Sequence, residues 1–403
     1  MAVRRNDALW VLVPTGQRAS GEWIDDTLRD RVQEAGLTAK VPLAAQFPRQ
    51  RVEVLRHGDP ISELNRLYYR RGWTDGLPVI PPTLGRVEEM LTWTDRGAQE
   101  SLGALDPLKG EATVEKIAAN AVMAGCRPEY LPVVLAAVEA LAEQTFNLRG
   151  VQTTDENVTP LLILNGPLTR ELEVNCSFGA LGPGWQANAT IGRAVRLVMN
   201  NLGGGWPHVV AFAGIGQPGR YTLCLAENEA ESPWAPLHVD QGFAPEESTV
   251  TVLRAESAIN VTGALGEIAS VMASSASAFA RVHNGKVGVA LAPYVAGKLA
   301  GEGWSKADVQ QHLYEHSHQP DVDFRASWLY GGIIAEADWP KWVLDAAAAG
   351  SVPAVRAPED ITVFVAGGDI PIPQHVYFPS WGFPPCRITK RVAPPPAGAT
   401  RAD

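Results

Sequence analysis

Hydrophobic and polar positions follow two patterns along the chain, and together they predict strands separated by helices. Apolar residues recur at spacings of three and four from Ile191 to Leu202, which predicts a helix with one buried face. Short apolar runs closed by turn residues predict buried strands over 8–13, 161–167, 249–256, 286–293 and 361–368. Because strands separated by helices usually belong to α/β folds, we predict an α/β protein with a parallel or mixed sheet, flanking helices and an α+β N-terminal half.

The same patterns divide the chain into four predicted parts. They are an N-terminal extension over 1–64 with a helix near 22–35, an α+β domain over 65–245, an α/β domain over 246–390 and a disordered tail over 391–403. The tail is rich in proline and small residues, which is typical of chain ends that are not tied down.

Composition and charge narrow the class of protein. The chain has 403 residues, 46% hydrophobic and 19% charged, which predicts large buried cores. Its net charge of -10, without a basic cluster, argues against a nucleic-acid partner. No apolar run is long enough to cross a bilayer, and the four cysteines form no CxxC pair. We therefore expect a cytoplasmic protein without a membrane partner, and self-association as a homo-oligomer is compatible with the sequence.

The stretch TVEKIAANAVMAGCRPEYLPVV carries the first candidate for chemistry, Cys126. A helix is predicted to end at Gly125 and another to begin near Pro128, so the thiol would lie at a helix start beside Arg127. Both features favour a thiolate, and Glu129 is near enough in sequence to exchange a proton with it. The alternative is a small buried cysteine that fills a corner between helices.

A glycine-rich loop, FGALGPGW, precedes the helix for which Asn188 is the predicted N-cap. Free N–H groups at a helix start, with Thr190 and Arg193 in the next turn, predict a binding site for a carboxylate or phosphate. The P-loop and dinucleotide-binding fingerprints are absent, so a purely structural turn is the alternative.

Further candidates follow predicted strands or turns. The strand ITVFVAGG ends at Gly367 and Gly368, and His375 follows in what is predicted to be a proline-rich loop, which makes His375 a candidate acid or base. Glu227 follows a short strand as a catalytic carboxylate or an ordinary loop residue. Asp75, in the WTDGLP turn, either lines the site or stabilises the turn.

The histidines of QHLYEHSH have the i, i+4 spacing of metal ligands, but no HExxH pattern accompanies them. A solvated helix end is the favoured interpretation, because histidine is favourable near a helix C-terminus. We therefore predict no metal site and no cofactor.

Several segments together resemble a family of largely uncharacterised bacterial proteins named after a UGSC selenocysteine/cysteine motif. The resemblance covers most of 65–390 and rests on RGWTDGLPVIPPT, ATVEKIAANAVMAGCRPEYLPVV, LLILNGP, QANATIGRA, CLAENE, PWAPLHV, LYEH and the ending VAGG…H. The naming motif itself is absent, and the first 60 residues and the region of Cys176 depart from the family pattern. The resemblance implies that family motif positions are occupied by Asp75, Cys126, Asn188, Arg193, Glu227 and His375.

These observations support one leading hypothesis. It is a cytoplasmic enzyme that acts on a small anionic metabolite by thiol chemistry at Cys126, in a lyase-type or reductive step, since no hydrolase motif is present. The alternatives are a non-catalytic partner subunit of a redox enzyme and a metal-dependent hydro-lyase or hydrolase. The leading hypothesis predicts that Cys126, the helix start at Asn188 and the segment 367–375 converge on one pocket.

Overall fold

A computed structural model describes residues 59–274, 281 and 284–399 of the chain, together with three N-terminal strands. Those three strands pair in antiparallel fashion in the order β1-β2-β3. The helix predicted near 22–35 lies outside the described residues.

Strands are distributed over the whole length of the described chain. They are β1 Ala2–Arg5, β2 Ala8–Val13, β3 Arg51–Leu55, β4 Ser101–Leu105, β5 Gly110–Thr113, β6 Thr159–Asn165, β7 Cys224–Ala226, β8 Thr249–Ala255, β9 Ile259–Thr262, β10 Val287–Leu291, β11 His318–Pro320, β12 Ser351–Pro353, β13 Ile361–Val365, β14 Gln374–Phe378 and β15 Ile388–Arg391.

Helices connect and cover these strands. They are α1 Pro60–Arg70, α2 Leu84–Leu91, α3 Val114–Ala124, α4 Leu131–Ala142, α5 Leu148–Thr153, α6 Leu168–Glu171, α7 Gln186–Val198, α8 Leu237–Asp240, α9 Leu265–Ala273, α10 Pro293–Gly301, α11 Lys306–His316, α12 Asp321–Ala326 and α13 Lys341–Ala348. Within the described ranges, no helix combines the length and apolar character that crossing a membrane requires.

Two four-stranded mixed sheets form the centre of the fold. The first has the order β15-β8-β6-β7, with β7 parallel and β8 antiparallel to β6. The second has the order β13-β10-β14-β9, with β13 parallel and β14 antiparallel to β10. The predicted α/β class with mixed sheets and flanking helices is confirmed.

The two sheets pack face to face between two layers of helices. Alternate residues of β6 and β8, such as Ile163 and Leu253, join Phe364 and Phe378 of the second sheet in one buried cluster. The opposite face of the first sheet packs on α3, α4 and α7, and that of the second sheet packs on α9 and α11. Both faces of each sheet are buried, which explains why the central strands are nearly continuous apolar runs in the sequence.

The first sheet crosses the domain boundary predicted between residues 245 and 246. Strands β6 and β7 precede that boundary and β8 and β15 follow it, yet all four are hydrogen-bonded in one sheet. The buried backbone of β8 requires partners on both sides, and β6 and β15 provide them. For the same reason the ordered chain extends beyond the predicted start of the tail, because Arg391 pairs with Thr249 and Val392 is buried.

Helix α3 begins and ends as the sequence predicts, whereas α7 does not begin at its predicted cap. The Thr113 side chain accepts a hydrogen bond from the N–H of Lys116, and Gly125 ends α3 in a left-handed conformation. Helix α7 follows Trp185, so Asn188 lies inside its first turn rather than at the N-cap. The side chain of Asn188 has other partners.

Candidate functional site

Asn188 fastens the glycine-rich loop to the first sheet. Its Oδ1 accepts a 2.8 Å hydrogen bond from the Asn175 N–H, and its Nδ2 lies 2.9 to 3.2 Å from the carbonyls of Asn175, Ala180 and Cys224. This amide is buried, and its polar atoms all have protein partners. The geometry therefore gives Asn188 a structural role, and it does not present a donor to a ligand.

The Cys126 thiol is held against the same helix. Its Sγ donates a hydrogen bond to the Thr190 carbonyl over 3.2 Å, and its N–H donates to the Ala121 carbonyl at the end of α3. Burial raises the pKa of Cys126 to about 12, although the hydrogen bond and the charge of Arg193 oppose this. These surroundings do not favour the expected thiolate, because Cys126 follows the C-terminal end of α3 and does not lie in the first turn of the next helix.

The two polar neighbours predicted to assist Cys126 interact with other groups. Arg127 donates to the Tyr130 hydroxyl over 2.8 Å and to Glu173 over 3.0 Å. Glu129 is buried and lies 3.2 Å from Arg127 Nε, so its charge is compensated by that guanidinium. The described contacts of Arg127 therefore join it to Tyr130, Glu129 and Glu173.

Asp75 and Arg193 form a two-pronged salt bridge. Arg193 Nε lies 2.8 Å from Asp75 Oδ2, and Nη2 lies 3.0 Å from Oδ1. The same guanidinium donates to the carbonyls of Pro78 and Ala124, so it joins the WTDGLP turn to α7 and to the end of α3. An anionic ligand would have to displace a buried carboxylate from Arg193, and the geometry does not support the predicted anion site there.

His375 is enclosed between backbone groups. It lies within β14 rather than in a loop, its Nδ1 accepts a 3.0 Å hydrogen bond from the Ala292 N–H, and its Nε2 lies 3.0 Å from the Gly263 carbonyl. Since Nδ1 accepts, Nε2 carries the proton and donates, which defines a neutral ring. Burial lowers the pKa of His375, and the ring is fully buried, so it acts as a cross-link and not as an accessible acid or base.

A different group of polar residues lies where the carboxyl ends of β6, β7 and β13 meet. Glu227 follows β7, and its Oε2 accepts hydrogen bonds from Asn165 Nδ2 over 2.6 Å and from the Leu237 N–H over 2.7 Å. Its Oε1 lies 3.4 Å from the Val365 N–H at the end of β13. Burial raises the pKa of Glu227. This carboxyl group therefore joins the two sheets at the edge where ligands bind in open α/β sheets.

Glu229 lies beside Glu227 and is more accessible. Its Oε1 accepts from Asn165 Nδ2 over 2.9 Å and from the Gly166 N–H over 2.7 Å, and 24% of its side chain is exposed. The His238 Nδ1 lies 3.9 Å from that same oxygen. We call Asn165, Glu227, Glu229 and His238 the strand-end cluster.

His238 is the unusual member of the strand-end cluster. It is fully buried, and neither ring nitrogen has a hydrogen-bond partner among the described residues. A buried polar group without a partner costs about 1–3 kcal/mol, so such groups are rare outside functional sites and water-binding sites. The Asn165 Oδ1 is also buried without a partner in the described part of the chain.

The glycine pair at the end of the β13 segment forms the rim of this cluster. The Gly367 N–H donates to the Cys176 carbonyl over 2.8 Å, and the Gly367 carbonyl accepts from Asn228 Nδ2 over 3.2 Å. A Cβ on Gly368 would lie 2.3 Å from the ring of Phe178, so a larger residue there would require the exposed Phe178 side chain to move. Burial, together with the charges of glutamates 231 and 229, raises the pKa of the half-buried Cys176 thiol.

The residues predicted to converge on one pocket therefore lie in separate places. Glu227, Gly367 and Gly368 lie at the strand-end cluster, and Asn188 supports the loop beside it. Cys126, Thr190, Arg193 and Asp75 form a separate contact between α7 and the WTDGLP turn, and His375 faces the second sheet's helices. Sequence reasoning missed Asn165, Glu229 and His238. Asn165 ends β6 and Glu229 follows β7, so the strand-end rule that selected Glu227 would also have found them.

No protein-family model matches the chain, and no curated protein matches it significantly. Within the described ranges, no group of three or more histidine, cysteine, aspartate or glutamate side chains is arranged to hold a metal ion.

Proposed function

We propose that this chain is an enzyme that moves a proton at Glu229 on a small substrate, in a lyase-type reaction. The observation that carries the proposal is the contact of Glu229 with a buried histidine that has no other described partner, at the meeting point of three strand ends. Elimination reactions of this type begin with removal of a proton by a positioned base, and carboxylates commonly do this work.

Glu229 has the geometry that a general base needs. Two N–H donors hold its Oε1, which fixes the orientation of the carboxylate, whereas its Oε2 has no partner among the described residues. Because about a quarter of the side chain is exposed, a substrate can reach it. Glu227 is more deeply buried, and both of its oxygens accept protein hydrogen bonds, so it supports the site.

His238 would act through Glu229 rather than on the substrate. A shift of about 1 Å would bring its Nδ1 within hydrogen-bond distance of Oε1, and catalytic hydrogen bonds are often long before the substrate binds. In that position the imidazole can stabilise the carboxylate or accept the proton that Glu229 has removed. His238 is therefore a positioning residue in this proposal.

The charges around Glu229 indicate which part of a substrate would lie there. Glu227 is buried beside it, and Glu231 lies on the exposed rim, where it accepts a 2.6 Å hydrogen bond from Asn228. A neutral or cationic reacting group suits this environment better than the anionic group expected from the sequence. Thiol chemistry at Cys126 has weaker support, because burial raises the pKa of that thiol to about 12.

The proposal can be tested without knowing the substrate. A small-molecule metabolite mixture is incubated with wild-type protein, with Glu229→Gln or with Glu246→Gln, an exposed control, and the mixtures are compared by untargeted mass spectrometry. Metabolites converted by wild type and by the control, but about 100-fold more slowly by Glu229→Gln, support the proposal. Equal conversion by Glu229→Gln, or conversion by none of the three, counts against it.

A second candidate is the non-catalytic partner subunit, and one surface favours it. The segment from 206 to 216 exposes three large apolar side chains, namely Val209, Phe212 and Ile215. Exposed apolar groups close together are typical of interaction sites. Gel filtration of wild type and of a variant with serine at these three positions tests this candidate, because a smaller apparent mass in the variant alone would reveal an interface.

A further inference from the structure

A depression at the opposite end of β6 is lined by two arginines. Thr159, the first residue of β6, lies there with Arg196 of α7 and Arg220, which ends a short 3-10 turn. The free space, including the open mouth, is about 200 Å³. Thr159 and Asn165 are the first and last residues of β6, so this depression lies about 20 Å from the strand-end cluster.

Arg196 is buried, and its described hydrogen-bond partners are all neutral. Its Nε donates to the Arg220 carbonyl over 2.8 Å, and its Nη2 donates to Thr159 Oγ1 over 2.9 Å. Among the described residues, no carboxylate forms a salt bridge with Arg196 or with Arg220. The acidic side chain that influences Arg196 is Asp75, which is already bound by Arg193.

Two guanidinium groups so close together, without a carboxylate, are electrostatically unfavourable. Burial and the charge of Arg220 lower the pKa of Arg196 to about 9, and burial lowers the pKa of Arg220. A buried charge normally has an ionic partner, because desolvation alone costs several kcal/mol. The other arginine of α7, Arg193, has such a partner in Asp75, whereas the described hydrogen-bond partners of Arg196 are neutral.

We infer that the depression formed by Arg196, Arg220 and Thr159 binds a small oxyanion of the phosphate class. An anion there would accept hydrogen bonds from both guanidinium groups, and such charge-assisted bonds suit phosphate oxygens. The Thr159 hydroxyl contributes a further donor, because its present bond to the Gly219 carbonyl is long, at 3.5 Å.

The shape of the site agrees with such a ligand. The free space of about 200 Å³ is enough for a tetrahedral anion, one oxygen of which would lie against Arg196. The remaining oxygens would lie in the open mouth beside Arg220, which is half-buried. Gly192 contributes to the close packing there, since a Cβ on it would lie 2.3 Å from Thr222 Oγ1.

Calorimetric titration of the full chain with inorganic phosphate tests the inference, with sodium chloride at matched ionic strength as the reference. The proteins are wild type, Arg220→Met, Arg220→Lys and Arg149→Met, a control that removes an exposed arginine already paired with Asp106. We expect saturable binding by wild type and by the control, and binding at least about 10-fold weaker in Arg220→Met. Arg220→Lys should fall between them, because it keeps the charge but not the planar fork.

The source of the phosphate group is distinguished by a second titration with glycerol phosphate. Tighter binding of the monoester indicates the phosphate end of a metabolite, and tighter binding of inorganic phosphate indicates the free anion. Phosphate binding by Arg220→Met equal to that of wild type overturns the inference, as does a wild-type response no larger than that to chloride. Neither result bears on Glu229, because the two sites are at opposite ends of β6.

Discussion

The Nδ1 of His238 lies 3.9 Å from the Oε1 of Glu229, so a fully buried imidazole faces a carboxylate that solvent can reach. Two N–H donors from the end of β6 hold that carboxylate oxygen in place. The imidazole itself is held by no described hydrogen bond. Because a buried imidazole without hydrogen bonds lowers stability, an apolar residue at position 238 should be at least as stable, which leads to the first prediction.

Replacing His238 with leucine should separate stability from activity. The substitution removes two unpartnered buried nitrogens, so the free energy of unfolding should stay within about 1 kcal/mol of wild type or rise. Turnover of any substrate found in the metabolite comparison should fall, and its pH profile should change if the imidazole acts through Glu229. Urea unfolding and turnover at several pH values measure both effects. A loss of stability of more than about 3 kcal/mol, with turnover unchanged, would show that His238 serves packing alone.

Cys126 should react slowly with alkylating reagents. Because burial raises the pKa of its thiol to about 12, almost none of it is thiolate at pH 8, and the thiolate is the reactive form. Peptide mass spectrometry after iodoacetamide treatment from pH 7 to pH 10 should show less labelling at Cys126 than at a free thiol in solution. Cys126→Ala should retain turnover. Half-maximal labelling at or below pH 8.5 would contradict the structure and restore the thiolate hypothesis.

Much of the central fold could be predicted from the sequence because its strands are buried on both faces. β6, β10 and β13 appear as nearly continuous apolar runs for that reason. β14 was missed, because its burial varies along the strand and prolines precede it. That β6 pairs with β8 across the predicted boundary between residues 245 and 246 could not be predicted, because this pairing depends on contacts between distant segments, which periodicity does not reveal.

The candidate site was only partly predictable, because some of its residues are brought together by contacts between distant segments. Glu227 and the two glycines could be predicted, because they follow strands and the end of a strand can be recognised in the local sequence. His238 follows PWAP in a short helix, where no local pattern indicates that its ring points at Glu229. At Cys126 the sequence shows an adjacent arginine, but it does not show the tertiary packing that raises the pKa of the thiol.

The salt bridge between Asp75 and Arg193 should be important for stability. Asp75→Asn leaves the Arg193 guanidinium nearly buried without its carboxylate, and breaking a buried pair from one side costs about 3–5 kcal/mol. Urea unfolding of this variant, compared with the exposed-site control Asp95→Asn, measures the loss. A cost below about 1 kcal/mol would mean that solvent or another anion compensates the charge of Arg193, and would support the anion site expected there from the sequence.

Glu256 should make the stability of the fold depend on pH between its unfolded pKa of 4.5 and about pH 8. Burial, with a contribution from the charge of Glu156, raises the pKa of Glu256 in the folded chain to about 8, and its Oε1 has no described partner. The protonated form is therefore favoured by folding, so its contribution to stability is fully present below the unfolded pKa and is lost as the pH rises through about 8.

The free energy of unfolding of Glu256→Gln should equal that of wild type at pH 4 and exceed it at pH 9. The difference should grow by at most about 1.4 kcal/mol per pH unit between those limits. Urea unfolding at each pH, with the exposed-site variant Glu246→Gln as a control, measures it. A difference between Glu256→Gln and wild type that does not change from pH 4 to pH 9 would show that the carboxyl group is already ionised, with a cation or water compensating its charge.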